Sequence, residues 1–307
     1  MLSERLQHPL TAVAAAVLLT LPWLVSWASG SAHAYSHLTT VLVSGLGVLG
    51  ASFLLAWGAE TAEKDVPRAF ALAVLAVLAV APEYAVDAFY AWTAGANAGT
   101  PRGAEAANLA VANMTGANRI LIGLGWSGIA VFTVYLATRS RDPAVDRRPG
   151  FLASGVTLDP AISTEILFLL AATAYAFLVP LNGGIGLVDT VVLVGLYVAY
   201  IAIIIRGDVE EHDDQVGVPA YLQRFVRRYR VAVILALFAY SGLLIATAVH
   251  PFATGLEELG KSVGIPPFFM IQWIAPLASE SPELIVVAYL VNKARSTAGF
   301  NALISSK

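Results

Sequence analysis

The 307-residue sequence has no cysteine and few charges. Without a thiol, a disulfide framework, a thiolate metal site and a cysteine nucleophile are all excluded. Charged residues make up 13% of the chain against 58% hydrophobic, with a mean hydropathy of +0.72, far from the balance of a soluble domain. The net charge of -3 is small and argues against a nucleic-acid partner. No HExxH, GxSxG, GxGxxG or Walker pattern occurs. His33, His37 and His212 fall in predicted loops, and His250 borders Pro251, where a helix kink accounts for it. Neither an enzyme nor a cofactor is therefore expected.

What the chain does have is long apolar runs. Windows of about 20 apolar residues predict spans near 10–29, 38–62, 68–94, 106–138, 162–180, 184–206, 230–260 and 265–292, with a ninth beginning at about Gly299. The first run could pass for a signal peptide, yet "SAHAYSH" is a poor cleavage context, and the run is long enough to span. Two polar loops interrupt the series, 139–150 and 206–230, the second ending in a predicted short amphipathic helix that lies on the inner membrane surface. With the N-terminus inside, the inner loops hold nearly all the Lys and Arg, while the outer loops hold only Arg102 and Lys261. The reading is a multi-pass protein of the plasma (inner) membrane, with a cytoplasmic N-terminus and the lipid bilayer as its surroundings. Trp23, Trp57, Trp92 and Trp273 sit near span ends and read as interface anchors.

Inside the third run, "APEYAVDAFY" carries a proline and two carboxylates where a membrane helix should carry none. Sliding the sequence by 200 residues sets "VAPEYAVDA", Val80 to Ala88, against "ESPELIVVA", Glu280 to Ala288, pairing Pro82 with Pro282 and Glu83 with Glu283. With seven residues fewer in the second loop, "AANLAVANMTGANR" then lies against "GFNALISSK", so that Asn108 meets Asn301 and Asn113 meets Ser306. On the topology above, one Pro-Glu helix runs outward and the other inward, which makes the repeats inverted.

Proline removes a backbone donor and clashes with the carbonyl four residues back, so the turn before Pro82 must open or kink. Freed carbonyls at membrane depth are costly unless protein, water or an ion satisfies them. A carboxylate beside them makes a hard oxygen site that suits Ca²⁺ or Na⁺. Asp87, one turn after Glu83 on the same face, either shares a cation, holds a proton with it, or pairs with Arg119. Asn108, Asn113 and Asn118 recur every five residues along the next helix, and Thr115 with Gly116 predicts a break there. Asn amides are neutral hard ligands, with Asn113 favoured over Asn118. In "LASESPEL", Ser279 and Glu280 precede Glu283; Glu280 has no acidic counterpart, since position 80 is valine. It either carries a proton, binds a further cation, or faces a water-filled vestibule.

At these residues the sequence resembles the cation/calcium exchanger superfamily, typified by sodium/calcium exchangers. Its two α-repeats carry a Gly-Thr-Ser-x-Pro-Glu-Leu type motif, matched by "LAVAPEY" and "ASESPEL", and a Gly-Asn-x-x-Gly-Ser-Asn type motif, matched by "ANMTGAN". The resemblance covers about 38–139 and 230–307. It implies an all-α bundle of about nine to eleven transmembrane helices in inverted repeats, with Pro-broken helices at the midplane. The domains would be an extra N-terminal helix (1–37), a first repeat (38–139), linking helices with a cytoplasmic loop (140–229) and a second repeat (230–307). Glu83 and Glu283 would be the central carboxylate ligands and Asn113 an amide ligand. Asn118, Asp87, Glu280, Ser279 and Ser306 complete the candidate metal set. The implied activity is exchange of Ca²⁺ for Na⁺ or H⁺, with these ions as substrates. Ala79 and Val80 stand where hydroxyls are usual, Ala117 replaces a serine, and Arg119 puts a fixed charge beside the site. These departures leave open proton-coupled transport of another solute, or a non-transporting ion-binding sensor or scaffold. The chain stops before the second Asn/Gly motif is complete, so a longer protein is expected.

Overall fold

The computed structural model describes residues 8–66, 76–137, 142–150, 153–206 and 216–305. In chain order its helices are α1 (Pro9–Ala28), α2 (His37–Ala62), α3 (Ala76–Ala79), α4 (Ala81–Ala96), α5 (Pro101–Asn118), α6 (Ser127–Leu136), α7 (Ser163–Ala176), α8 (Leu187–Arg206), α9 (Gly217–Leu222), α10 (Arg227–Val263), α11 (Pro267–Asn292) and α12 (Ser296–Ser305). A π-helical stretch, Arg119–Trp126, joins α5 to α6 without a break in the rod. Local chemistry sets several boundaries. The Ser36 hydroxyl accepts from the Thr39 N–H to start α2, Thr100 accepts from Gly103 N–H ahead of Pro101 to start α5, and Gly264 at φ 74 ends α10.

Among the described residues seven helices are long and apolar enough to cross a membrane: Pro9–Ala28, His37–Asp65, Pro101–Leu136, Ser163–Leu181, Leu187–Arg206, Arg227–Val263 and Pro267–Asn292. They coincide with seven of the runs read from hydropathy. Of the two remaining runs, the one from Gly299 falls in α12 (Ser296–Ser305), and 68–94 lies partly outside the described residues; from 76 on it forms α3 and α4, separated at Val80. The polar loop 139–150 contributes a feature that composition did not signal, a short antiparallel ladder pairing Val145 with Val156 and Asp146 with Gly155. In the second polar loop stands α9, six residues without a charged side chain that bury Val218, Pro219 and Leu222, while the arginines from Arg224 on follow it.

The chain divides into two compact units. The first comprises Met1–Pro67, Val74–Leu124 and Asp214–Pro282. Its framework is α2 packed along α10, with α1 on α2 and α4 on α5. A core of Val48, Ala51, Tyr90, Leu109, Leu244, Phe252, Leu256 and Ile271 fills it. Because lipid tails are as apolar as leucine, this packing rests on close van der Waals contact between small residues. At Gly50 a Cβ would lie 2.6 Å from the Ala16 carbonyl oxygen, so only glycine admits the α1–α2 approach. Trp23 and Trp57 are buried at 1% and 9% exposure, and Trp23 donates to the Thr247 hydroxyl at 3.1 Å. The reading of these two as interface anchors is therefore corrected: the α1–α2–α10 packing takes them inside, while Trp92 at 80% and Trp273 at 40% exposure remain at the surface.

A two-pronged ion pair clamps each end of α10. At its start the Arg230 guanidinium donates to both Asp65 oxygens, at 2.6 and 2.7 Å, and to the carbonyls of Gln223 and Phe225. Toward its end Glu257, 3% exposed, accepts from Arg102 at 2.7 and 3.3 Å. Arg102, read from sequence as an outer-loop charge, is thus part of the first turn of α5.

The second unit comprises Arg68–Ala73, Gly125–Asp213 and Glu283–Lys307. There α7 lies on α8, and Tyr175 donates to Asp189 at 2.9 Å. α12 rests on α7 and on the turn Pro160–Ile162, and the buried Ser296 hydroxyl donates to Asp142 at 2.5 Å.

One further contact within the first unit bears on the polar residues. A Cβ on Gly116 would lie 2.1 Å from the backbone oxygen of Gln272. That carbonyl is four residues before Pro276, whose missing N–H leaves it without its helical donor. Gly116 therefore serves close approach of α5 to α11 and not the break expected from sequence, since α5 continues through it.

Two outcomes are expected. Arg230→Leu, which leaves Asp65 only the longer Arg227 contact at 3.4 Å, should lower the melting temperature in detergent. Adding Asp65→Leu should restore part of that loss, and equal stability of wild type and single variant would contradict the clamp. Gly116→Ala should sharply reduce folded protein by size-exclusion chromatography, whereas Gly128→Ala, with open space at its Cβ, should be tolerated.

Candidate cation-binding site

The helix opens where proline requires it. α3 ends at Ala79, Val80 leaves helical geometry at φ -94 and ψ 12, and α4 restarts with Pro82 in its first turn. The Val80 carbonyl then accepts from the N–H groups of Glu83 and Tyr84 at 3.1 and 3.2 Å. Glu83 thus lies in the first turn of a half-helix, where backbone N–H groups favour negative charge. Pro82 and Glu83 are both buried, Glu83 at 5% exposure.

One turn on, Asp87 accepts a hydrogen bond from the Asn113 amide at 2.9 Å. This joins α4 to α5 and orients the Asn113 side chain, itself 1% exposed. Two residues further along α5, the Thr115 hydroxyl accepts from the Gln272 amide at 3.3 Å. Gln272 is 2% exposed. A polar seam of Asp87, Asn113, Thr115 and Gln272 thus runs through helices that are otherwise apolar. Gln272 was missed in the sequence; the available signal was an amide inside a span, four residues before a proline.

The second Pro-Glu helix differs from the first. α11 runs unbroken from Pro267 to Asn292 with Pro276 and Pro282 inside it. Serine hydroxyls near the prolines bond back along the same helix: Ser279 donates to the Pro276 carbonyl at 3.3 Å, and Ser281 donates to that of Leu277. The expected opening at Pro282 is absent from the backbone path, and Ser279 spends its hydroxyl hydrogen on its own helix. Glu280, at 1% exposure, is among the most deeply buried charged side chains, while Glu283 is half-buried.

Of the sequence-derived candidates, Glu83, Asp87, Asn113, Ser279 and Glu280 fall in the first unit and Glu283 in the second. The structure joins Asp87 to Asn113 directly. Asn118 and Arg119 are exposed, at the point where α5 passes into the π-helical stretch. Ser306 lies outside the described residues. In the second unit Asn301 on α12 has a buried side-chain oxygen with no hydrogen-bond partner among the described residues, an amide acceptor left unused. Among the described residues no three His, Asp or Glu side chains gather into a metal-holding group. Backbone carbonyls and amides would have to complete any Ca²⁺ shell, which takes six to eight oxygens.

A search of curated proteins found no match. Among solved structures, the crystal structure of an H⁺/Ca²⁺ exchanger, CAX, superposes with a TM-score of 0.83 at 46% sequence identity, covering 97% of this chain and 70% of that one. The sodium/calcium exchanger protein family model matches residues 36–206 and 233–307, a range that contains the broken Pro-Glu helix, the polar seam and α11. With its seven apolar spans, the chain is a multi-pass integral membrane protein and belongs to the sodium/calcium exchanger family.

Proposed function

We propose that this protein is a secondary active antiporter that exchanges Ca²⁺ for H⁺ by alternating access, its two repeats being 38–139 and 230–307. The observation that carries the reading is the buried Glu83 at a proline-opened helix, beside the Asp87–Asn113 pair, in a chain that repeats Pro-Glu at Pro282 and Glu283. Glu83 and Glu283 supply the central carboxylates, and Asn113 with carbonyls freed by Pro82 supplies neutral oxygens. Asn301 is the amide ligand of the second repeat. Setting it against Asn113 also pairs Asn118 with Ser306 and Arg119 with Lys307, which the earlier alignment did not.

Two features favour H⁺ over Na⁺ as the coupling ion. Ala79 and Val80 offer no hydroxyl oxygens where Na⁺ would find them. Glu280 adds a further carboxyl inside a span, at 1% exposure, and carboxyls inside spans serve as proton relays. The 46% identity to a protein named as an H⁺/Ca²⁺ exchanger supports the same choice. The Lys and Arg distribution supports a cytoplasmic N-terminus.

Glu83→Gln and Glu283→Gln should each reach the membrane yet lower radiocalcium uptake into proteoliposomes by more than about tenfold. Uptake at the wild-type rate in either variant would overturn the assignment. Glu280→Gln should retain Ca²⁺ binding while flattening the dependence of uptake on the pH gradient; an unchanged pH dependence would remove Glu280 from proton coupling.

A further inference from the structure

The start of α10 carries a second site of different chemistry. A groove of about 660 Å³ is lined by Arg224, Phe225, Val226, Tyr229, Ala232, Val233 and Ala236. Its wall is apolar apart from the arginine, and it runs along the first turns of a 37-residue helix. A helix of that length extends about 55 Å, well beyond the roughly 30 Å hydrocarbon layer. Part of α10 must therefore lie outside the hydrocarbon layer, and the four arginines at its start suit the headgroup level.

Charge is concentrated at the groove's head. Arg224, Arg227, Arg228 and Arg230 lie within seven residues. Arg230 is committed to Asp65 in the two-pronged clamp, and Arg227 reaches the same carboxylate at 3.4 Å. Asp65 is thus answered twice over. Among the described residues neither Arg224 nor Arg228 has a carboxylate within ion-pair distance, and both are exposed. Arg228 is held at the rim, its guanidinium 4.6 Å over the Tyr229 ring and donating to the Tyr229 hydroxyl at 3.0 Å. The helix terminus adds to the field. Val226 caps α10 without a side-chain hydrogen bond, so the first backbone N–H groups, those of Arg227 and Arg228, point out of the helix start.

The geometry points to a binding site for an anionic phospholipid, its headgroup phosphate held by Arg224, Arg228 and the start of α10, and one acyl chain lying along Phe225, Val233 and Ala236. The charge selects the headgroup, and the apolar wall selects a tail over a free phosphate. The occupant would tie the α9–α10 corner, which Asp65 and Gln223 already fix to α2, to the lipid composition of the membrane.

Native mass spectrometry of the full chain, delipidated in detergent and then titrated with phosphatidylglycerol or phosphatidylcholine of identical chains, tests this. Phosphatidylglycerol should be retained preferentially, and R224Q/R228Q, which leaves the Asp65 clamp intact, should weaken it by roughly tenfold or more. Ala236→Trp, which fills the groove and leaves every charge in place, should weaken it as well. Equal retention of the two lipids, or no effect of the double variant, would overturn the proposal. Competition by glycerol phosphate as strong as that by the intact lipid would also overturn it, by showing a phosphate site with no role for the tail.

Discussion

Every backbone group inside a bilayer must find a partner, and prolines in this chain remove donors where partners are scarce. The responses differ from site to site. At Pro82 the helix parts, leaving Val80 outside helical geometry and Glu83 in a fresh first turn. At Pro276 the helix persists and the stranded Gln272 carbonyl is pressed against Gly116, where any side chain would collide. Around Pro282 serine hydroxyls fold back onto α11 carbonyls. Glu83 follows the first of these directly, and Asn113 and Thr115 lie within three residues of Gly116.

The rest of the first unit holds that arrangement steady. α2 and α10 form its longest packed pair, drawn close by small residues and clamped near both ends of α10 by arginine forks. Such clamps fix register more than they stabilise, since desolvation offsets much of the Coulomb gain. Against this frame α4 and α5 are positioned through Tyr90, fully buried and donating to the Ala253 carbonyl at 3.3 Å. Glu83 and the Asp87–Asn113 pair are therefore carried on helices whose placement depends on α10, a residue set far away in sequence.

Much of this was legible in the sequence. Span positions follow from hydropathy, a strong and local signal, and the opening before Pro82 follows from a donor that proline lacks wherever it occurs. The continuity of α11 was not legible, because whether a proline opens a helix depends on what packs around the carbonyl it strands, here Gly116 against that of Gln272. Gly116 looked like a breaker and is a contact, a difference set by Gln272 from a distant segment. Trp23 and Trp57 looked like anchors because they sit near span ends, yet which helix face a neighbour covers is a tertiary fact. Arg102 lay in an apparent loop, and only the partner Glu257 on α10 reveals it as structural. Gln272 escaped notice, and Asn301 was set only against Asn108 and not counted as a ligand, because a lone amide in a span is ordinarily packing; a stranded carbonyl on one and an unused oxygen on the other set them apart.

The account rests on Ca²⁺ moving against protons through a site built on the repeated Pro-Glu helices. Its most direct test is radiocalcium uptake into proteoliposomes of the purified protein, driven in parallel by an outward H⁺ gradient and an outward Na⁺ gradient. Uptake with the H⁺ gradient and background levels with Na⁺ is the result expected. Uptake driven by Na⁺ alone would contradict the proton coupling, and absence of uptake with either gradient would contradict calcium exchange itself.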